Sequence, residues 1–531
     1  MRLSMLLRIP KWDTTLLIIL VIGVFLLFFR LDHRPFWQDE AETACLARNI
    51  LQYGVPRAFD GVNLISQEEG REFDDNYLWR WSPWLQIYVT AAAFRIGGAT
   101  TTAGRAPFAL FAVACLLLTY RLVKRNFDDL GWARLAAALL TFSIPFLLFS
   151  RQCRYYSLGA LLTLMIIYAS QREVQSKTGP ALLLVISFGL LFYTNYLLFL
   201  SFTLPFFVAA ELIYPGKFPL KRLFKLGLCL GIIILPGIFL FRIRQETSMF
   251  DIIKVTGHLE EYFAGLFQFL IPLPVVLFLF WRGRWICRAS QFLSAGEKFI
   301  LFLFSIILGS IIILSLAPQS GHRYVVHLYP LCAIILGWIV CQAWRYHKFS
   351  GGVLALLLLF TNWLYLVPMD WLRITNRPNN SVQMLTYPNI PLQLFLRELC
   401  LDYPDLNQSL SQFFQAQARN GDTILTNYSD LPLQFYTSCR VIGSLQGRLP
   451  ANASPDWVVK HYPTQWNRDY QLHQAETFIN RKVILSKDYK AVAVLYADEI
   501  YGNIPGPYNH RFFPLSEPCG PVTIYRKIVR N

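Results

Sequence analysis

Charge is scarce in this chain. Asp, Glu, Lys and Arg together make up 15% of its 531 residues, whereas a soluble globular chain carries about 25%. An ordinary water-facing surface is therefore excluded over much of its length. The ten cysteines lack CxxC or zinc-ligand spacing, so no thiol-based metal motif is present. The formal charge of +16 comes without a basic run interleaved with aromatics, which argues against nucleic acid as a partner. No internal repeat or low-complexity run occurs. In the polar C-terminal part no Gly-rich phosphate loop precedes a helix, so no nucleotide is expected.

What is present is apolar. Hydrophobic residues make up 54%, with 42 Phe, 26 Tyr and 14 Trp, and the mean hydropathy is +0.38. Apolar runs fall at 14–31, 106–123, 134–150, 155–171, 180–197, 198–214, 226–241, 266–281, 299–317, 324–344 and 351–368. The first is long enough to cross a bilayer core, and no small-x-small cleavage site follows it, so it reads as a retained helix rather than a signal peptide. Between the runs lie KRNFDDLGWAR (124–134), REVQSK (172–177), KFPLKRLFK (217–225), RGRWICR (282–288) and WRYHK (344–348). Positive charge in short loops marks the cytoplasmic side. Placing all five there gives a cytoplasmic N-terminus and an extracytoplasmic 369–531 tail. The expected fold is an α-helical polytopic membrane protein of about eleven transmembrane helices, with outer juxtamembrane helices and a small extracytoplasmic C-terminal α/β domain. The membrane part would span 1–368, with its first outer loop at about 32–105. Segment 82–98 is apolar but short, and reads as a helix in the outer interface.

In the tail, LNQSLSQFFQAQARNGDTILTN predicts an amphipathic helix, a stop at Gly421 and a strand. RVIGSL, DWVVKH, YKAVAVLYAD and GPVTIYRKI read as four further strands. Cys115, Cys229, Cys332 and Cys341 fall in apolar runs as core fillers. A disulfide among Cys400, Cys439 and Cys519 is open if the tail faces an oxidising compartment.

Five stretches carry chemical potential on the expected outer side. In RPFWQDEAETACLARNIL, Asp39, Glu40 and Glu42 open an amphipathic helix. With Asp39 as N-cap and Glu42 at N3, a capping box accounts for both acids without chemistry. Alternatively, partial desolvation makes Asp39 a general base. In SRQCRYYSLGALL, Arg151 and Arg154 share a helical face beside Tyr155, on the side where positive charge is depleted. They either snorkel to headgroups or bind a lipid phosphate. In QSGHRYVVHLYP, His322, Arg323 and Tyr324 stand at the mouth of a span, as an interfacial anchor or as further phosphate contacts. In YLWRWSPWL, Arg80 faces a headgroup or sits in an aromatic belt. The acid-rich SQEEGREFDDN is a solvated loop or a metal or sugar site; His322 with a carboxylate would suit a divalent ion.

These motifs resemble those of the GT-C superfamily of polytopic glycosyltransferases, near protein O-mannosyltransferases and the aminoarabinose transferases of lipid A. WQDEAETACLARNIL is similar to their acidic motif in the first outer loop. WSPWLQIYVTAAAFRIGGATTTAGRAPFAL resembles their Pro-apolar segment with an Arg opening the next span. SRQCRYYSLGALLTL resembles their Arg-x-Tyr turn, and HRYVVHLYPL their late Arg-Tyr span. The terminal YGNIPGPYNHRFFP…VTIYRK is similar to that of some bacterial members. The resemblance implies transfer of a sugar from a polyprenyl-phosphate carrier to a lipid, glycan or protein hydroxyl, with inversion. Asp39 would be the base and Glu40 a helper or metal contact. Arg154 and Arg323 would hold the phosphate, and Arg80 maps onto a basic position where Lys or His next to Pro is commoner. The WWDYG signature of oligosaccharyltransferases is absent. A lipid or solute transporter, or a non-catalytic scaffold with an outer domain, is the rival reading. Transporters favour inverted repeats and helices interrupted at mid-membrane, and the sequence displays neither.

Overall fold

The computed structural model describes residues 13–175, 181–217, 219–241, 243, 252–277, 293–366, 388–402, 405–447, 449, 453–461, 473–485, 488–495 and 522–528. Among the described residues, ten helices come first: α1 (Thr14–Phe28), α2 (Gln38–Tyr53), α3 (Leu85–Gly97), α4 (Thr101–Phe127), α5 (Leu130–Thr141), α6 (Ile144–Ser150), α7 (Tyr156–Gln175), α8 (Ala181–Thr194), α9 (Tyr196–Ile213) and α10 (Leu220–Leu240). Later come Ile252–Gly265, Ala295–Ser315, the 3₁₀ turn His322–Leu328 running into Tyr329–Tyr346, and Lys348–Phe360.

Among the described residues, five helices are long and apolar enough to cross a membrane: Thr101–Phe127, Tyr196–Ile213, Lys221–Leu240, Ala295–Ser315 and His322–Tyr346. α5 with α6 makes a sixth if the pair is one span bent by 62°, and four shorter apolar helices match the runs expected at 14–31, 155–171, 180–197 and 351–368. Three expectations change. The 134–150 run breaks at Phe142–Ser143, where Pro145 opens a new helix, so one continuous span is not formed there. The 266–281 run forms a π-helical turn, Leu266–Leu270, and then extends at Ile271. Pro272 and Pro274 follow and cannot continue the hydrogen-bond ladder. The last run stops helically at Phe360 rather than reaching 368, and the boundary expected at 368/369 lies outside the described residues. α3 has 13 residues, too few to cross a bilayer core, and packs on α2 and α4.

The bundle is close-packed. A side chain at Gly309 would meet Pro205 Cβ at 2.6 Å, and one at Gly337 the Ala136 nitrogen at 3.1 Å. These glycines let their helices approach α9 and α5 as small residues do at membrane-helix interfaces. At one end, Asp13 caps α1 through Thr15 N at 3.1 Å. It also accepts from Arg134 Nη2 (2.9 Å) and Tyr120 Oη (2.7 Å), tying α1 to α5 and α4. Arg345 pairs with Asp129 at that end, at 2.5 Å. Cys229, expected in the core, is exposed on α10, and Cys400 and Cys439 are free thiols; Cys519 lies outside the described residues.

At the opposite end lies a five-stranded sheet in the order β2-β1-β3-β5-β4. Its strands are β1 (Thr423–Thr426), β2 (Arg440–Gly443), β3 (Trp457–Lys460), β4 (Tyr489–Leu495) and β5 (Val522–Lys527). β1 runs parallel to both β2 and β3, and β5 antiparallel to β3 and β4. Helix Leu406–Gln417, capped by Asp405 onto Gln408 N, covers one face with Leu410 and Phe414 against Ile424 and Trp457. The chain then turns at Gly421 in the left-handed region, φ +88°. Ala475, Ile479 and Val483 cover the other face.

The sheet is joined to the 34–105 segment by buried polar bonds. Gln38 Nε2 donates to Asp430 Oδ1 at 2.8 Å, and Leu431 N donates back to Gln38 Oε1 at 3.3 Å. Phe36 N donates to Tyr436 Oη at 2.9 Å. Asn63 donates to the Cys439 carbonyl (3.1 Å) and accepts from Val441 N (2.7 Å). Arg34 pairs with Glu398 at 3.0 Å. Leu431 and Phe435 enter the apolar core beneath α2.

Candidate active site

The site is built on the first turns of α2. The helix begins two residues earlier than a capping box at Asp39 requires: Trp37 is the N-cap and makes no side-chain cap bond. The capping box expected of Asp39 and Glu42 is therefore absent, and both side chains pair with arginines instead.

Asp39 Oδ2 accepts from Arg323 Nη1 at 2.7 Å and lies 3.6 Å from Arg154 Nη2. Its other carboxylate oxygen makes no hydrogen bond among the described residues. Arg154 Nη1 donates to Glu42 Oε1 (3.1 Å), Thr43 Oγ1 (3.1 Å) and the Asp39 carbonyl (3.0 Å). Its Nε is buried with no partner. The guanidinium stands 5.8 Å from the Tyr155 ring centre, and that of Arg323 stands 5.2 Å from the Tyr324 ring centre. Glu42 also accepts from Gln67 Nε2 at 2.6 Å. Burial pushes the Glu42 carboxyl up, and the Arg154 charge opposes this. Five expected residues, Asp39, Arg154, Tyr155, Arg323 and Tyr324, thus come together from α2, the α6–α7 turn and the start of His322–Tyr346.

The remaining expected residues do not join them. Glu40 is fully buried and held by Arg105: Nη2 donates to Oε2 at 2.6 Å and Nε to Oε1 at 2.8 Å. Cys153 N also donates to Oε1 at 2.7 Å. With both oxygens taken and no exposure, Glu40 is a strut between α2, α4 and the 151–155 turn, not a helper beside Asp39. Arg151 and Arg154 do not share a helical face, because they sit in that turn between α6 and α7. Arg151 instead donates to the carbonyls of Leu26 and Leu27 (2.9 and 3.0 Å) at the C-terminus of α1. Arg80 does the same for α10, donating to Leu240 and Phe239 at 2.7 and 3.0 Å. Both arginines satisfy orphan carbonyls at helix ends. The His322 ring bonds Tyr329 Oη and packs 4.9 Å from Phe269, between centres. The 66–76 loop is not simply solvated: Glu72, almost fully buried, accepts from Ser66 Oγ (2.8 Å), Glu68 N (2.7 Å) and Gln67 N. Among the described residues no group of three or more His, Cys, Asp or Glu is placed to hold a metal ion.

One neighbour escapes sequence reading altogether. Tyr428, in the loop after β1, is close enough for the charges of Asp39 and Arg323 to act on its hydroxyl, which burial chiefly holds above its ordinary range. Nothing local in TNYSD marks it; only the tertiary fold brings it to α2.

This bundle and sheet have known counterparts. Residues 82–238 match the family described as Dolichyl-phosphate-mannose-protein mannosyltransferase. Two crystal structures of ArnT from Cupriavidus metallidurans resemble the whole chain at 12% identity, covering 96% of this chain and 97% of that one. The structure bound to undecaprenyl phosphate gives a TM-score of 0.58 and the apo structure 0.55. No curated protein matches the chain by sequence. The likeness is one of fold: the helical bundle and the sheet together resemble the ArnT architecture over nearly the whole chain, and the long apolar helices are those of an integral membrane protein.

Proposed function

We propose that the chain transfers a sugar from a polyprenyl-phosphate carrier to an acceptor hydroxyl on the extracytoplasmic face, with inversion at the anomeric carbon. The observation that carries this reading is one carboxylate, Asp39, flanked by two guanidinium groups, Arg323 at 2.7 Å and Arg154 at 3.6 Å. Guanidinium forks suit phosphate oxygens. A lipid phosphate entering between the arginines competes with Asp39 and Glu42 for their N–H groups and takes up the Arg154 Nε bond that has no protein partner. The charge on the departing phosphate is then stabilised in a water-poor site. Asp39, with one oxygen uncommitted, accepts the proton of the acceptor hydroxyl as that oxygen bonds to the anomeric carbon and the carbon–phosphate-oxygen bond breaks. The leaving phosphate is stable as an anion, so no strong general acid is required. The bundle end bearing Asp13, Arg134 and Arg345 would face the cytoplasm, following the charge rule for short loops.

The carrier bound to ArnT in the Cupriavidus structure, undecaprenyl phosphate, supplies the probe. Binding to the full-length chain in nanodiscs should be saturable and should weaken in Arg154→Ala and Arg323→Ala. Equal binding by wild type and both variants would refute the phosphate assignment.

A further inference from the structure

We propose that Tyr428 is the acceptor-facing wall of the Asp39 site, holding a sugar residue of the acceptor over the base, so that the tail sets acceptor choice. This inference rests on the transferase reading above and deepens it.

The loop that carries Tyr428 is fixed on every side. Asn427 bridges the C-terminal ends of β1 and β3, accepting from His461 N (2.8 Å) and donating to the His461 carbonyl (3.2 Å). Thr426 Oγ1 donates to the Tyr428 carbonyl at 2.6 Å. Ser429 adopts φ +60°, left-handed and costly for a non-glycine residue, and its hydroxyl donates to Asn407 Oδ1 at 2.7 Å. Asp430 is then held by Gln38, the residue before Asp39, and by Gln446 at 2.7 Å. This chain of bonds delivers Tyr428 to the first turn of α2. β1 lies between its two parallel partners, one reached through helix Asp430–Tyr436 and the other beyond it. Its carboxyl end is therefore the switch point at which parallel sheets leave a crevice for ligands.

The chemistry of the loop favours a sugar. Arg154 and Arg323 come from the helical bundle, whereas Tyr428 arrives from the sheet. Its ring meets His461 edge-on, centres 6.2 Å apart. Burial lowers His461 to about 4, so the imidazole is uncharged at neutral pH. Its Nε2 lies buried behind the tyrosine without a partner, a polar group in reserve if the ring shifts. Asp430, two residues on and bonded to Gln38, adds a carboxylate to this side of the site. An aromatic face beside neutral and acidic groups takes the C–H side of a sugar ring while hydrogen-bonding its hydroxyls.

The test uses the full-length chain in membranes of the expressing cells, with the photoreactive residue p-benzoylphenylalanine at position 428. A carbohydrate adduct by mass spectrometry is expected. A peptide-only adduct, a phospholipid-only adduct or none would overturn the inference. Undecaprenyl phosphate binding separates it from the donor reading. Tyr428→Ala and Tyr428→Phe, each melting as wild type does, should bind the carrier within about twofold of wild type, whereas Arg154→Ala should lose about tenfold or more. If Tyr428→Ala loses as much as Arg154→Ala, the residue lies on the donor side and the inference fails. If Arg154→Ala binds normally, the donor reading fails instead.

Discussion

Arg323 Nη1 sits 2.7 Å from Asp39 Oδ2 although 284 residues separate them in sequence. The pair joins the first turn of α2 to the start of the long apolar helix His322–Tyr346, and it occupies the Asp39 oxygen that lies nearest Arg154. On the proposed reading, a donor phosphate that draws off Arg323 would leave both Asp39 oxygens uncommitted.

Asp39→Asn keeps the shape of the side chain and an oxygen for Arg323 but cannot take a proton. Transfer should fall by about 10²–10⁴-fold, the usual contribution of a general base, with thermal stability near wild type. Because a negative charge beside two arginines is removed, undecaprenyl phosphate should bind more tightly than to wild type. Full transfer activity in the variant would rule out the base assignment.

Arg323→Lys and Arg154→Lys retain charge but lose the fork. Carrier affinity should drop by about tenfold, as expected for loss of a charge-assisted hydrogen bond, measured by titration in nanodiscs. Unchanged affinity would mark the arginine as an anchor of α2 alone.

Glu40 and Arg105 give the opposite pattern. Removing one partner of a buried ion pair costs about 3–5 kcal/mol. Glu40→Ala should therefore accumulate poorly and melt early, its activity lost in proportion to folded protein. A stable but inactive Glu40→Gln protein would restore a chemical role to that carboxylate.

Glu68 supplies a pH signature. Burial, then the charge of Glu72, raises its carboxyl from 4.5 to about 7, with Arg71 opposing. A carboxyl whose folded pKa lies above its unfolded value contributes stability that is complete below the unfolded pKa and lost as pH rises through the folded one. The melting temperature of wild type should thus decline between about pH 5 and pH 8, and Glu68→Gln should flatten that decline. An identical decline in both proteins would contradict it.

The helical character of the bundle was legible because apolar runs are one-dimensional signals; the count of about eleven crossings was not, since only five or six helices among the described residues are long and apolar enough to span, and proline breaks and short helices divide the rest. The five strands were legible from alternating β-branched residues between turn signals. Asp39, Arg154 and Arg323 were legible as charges placed where charge is rare. Their grouping was not, because hydrogen-bond partners are set by tertiary packing. Arg151 and Arg80 carried the same signal as Arg154 yet serve helix ends, since orphan carbonyls leave no trace in a sequence. The same blindness made Asp39 look like a cap: a helix that starts at Gln38 without a capping side chain has no local signature.

The bonds from Gln38 to Asp430, Phe36 to Tyr436 and Asn63 to Val441 also constrain how such proteins can be recombined. A chimera that exchanges the sheet but keeps the helix bearing Asp39 strands several desolvated donors and acceptors at the seam. Grafts should succeed only when residues 34–105 travel with their own sheet, so the helix bearing Asp39 and the strands beside it are inherited as one module.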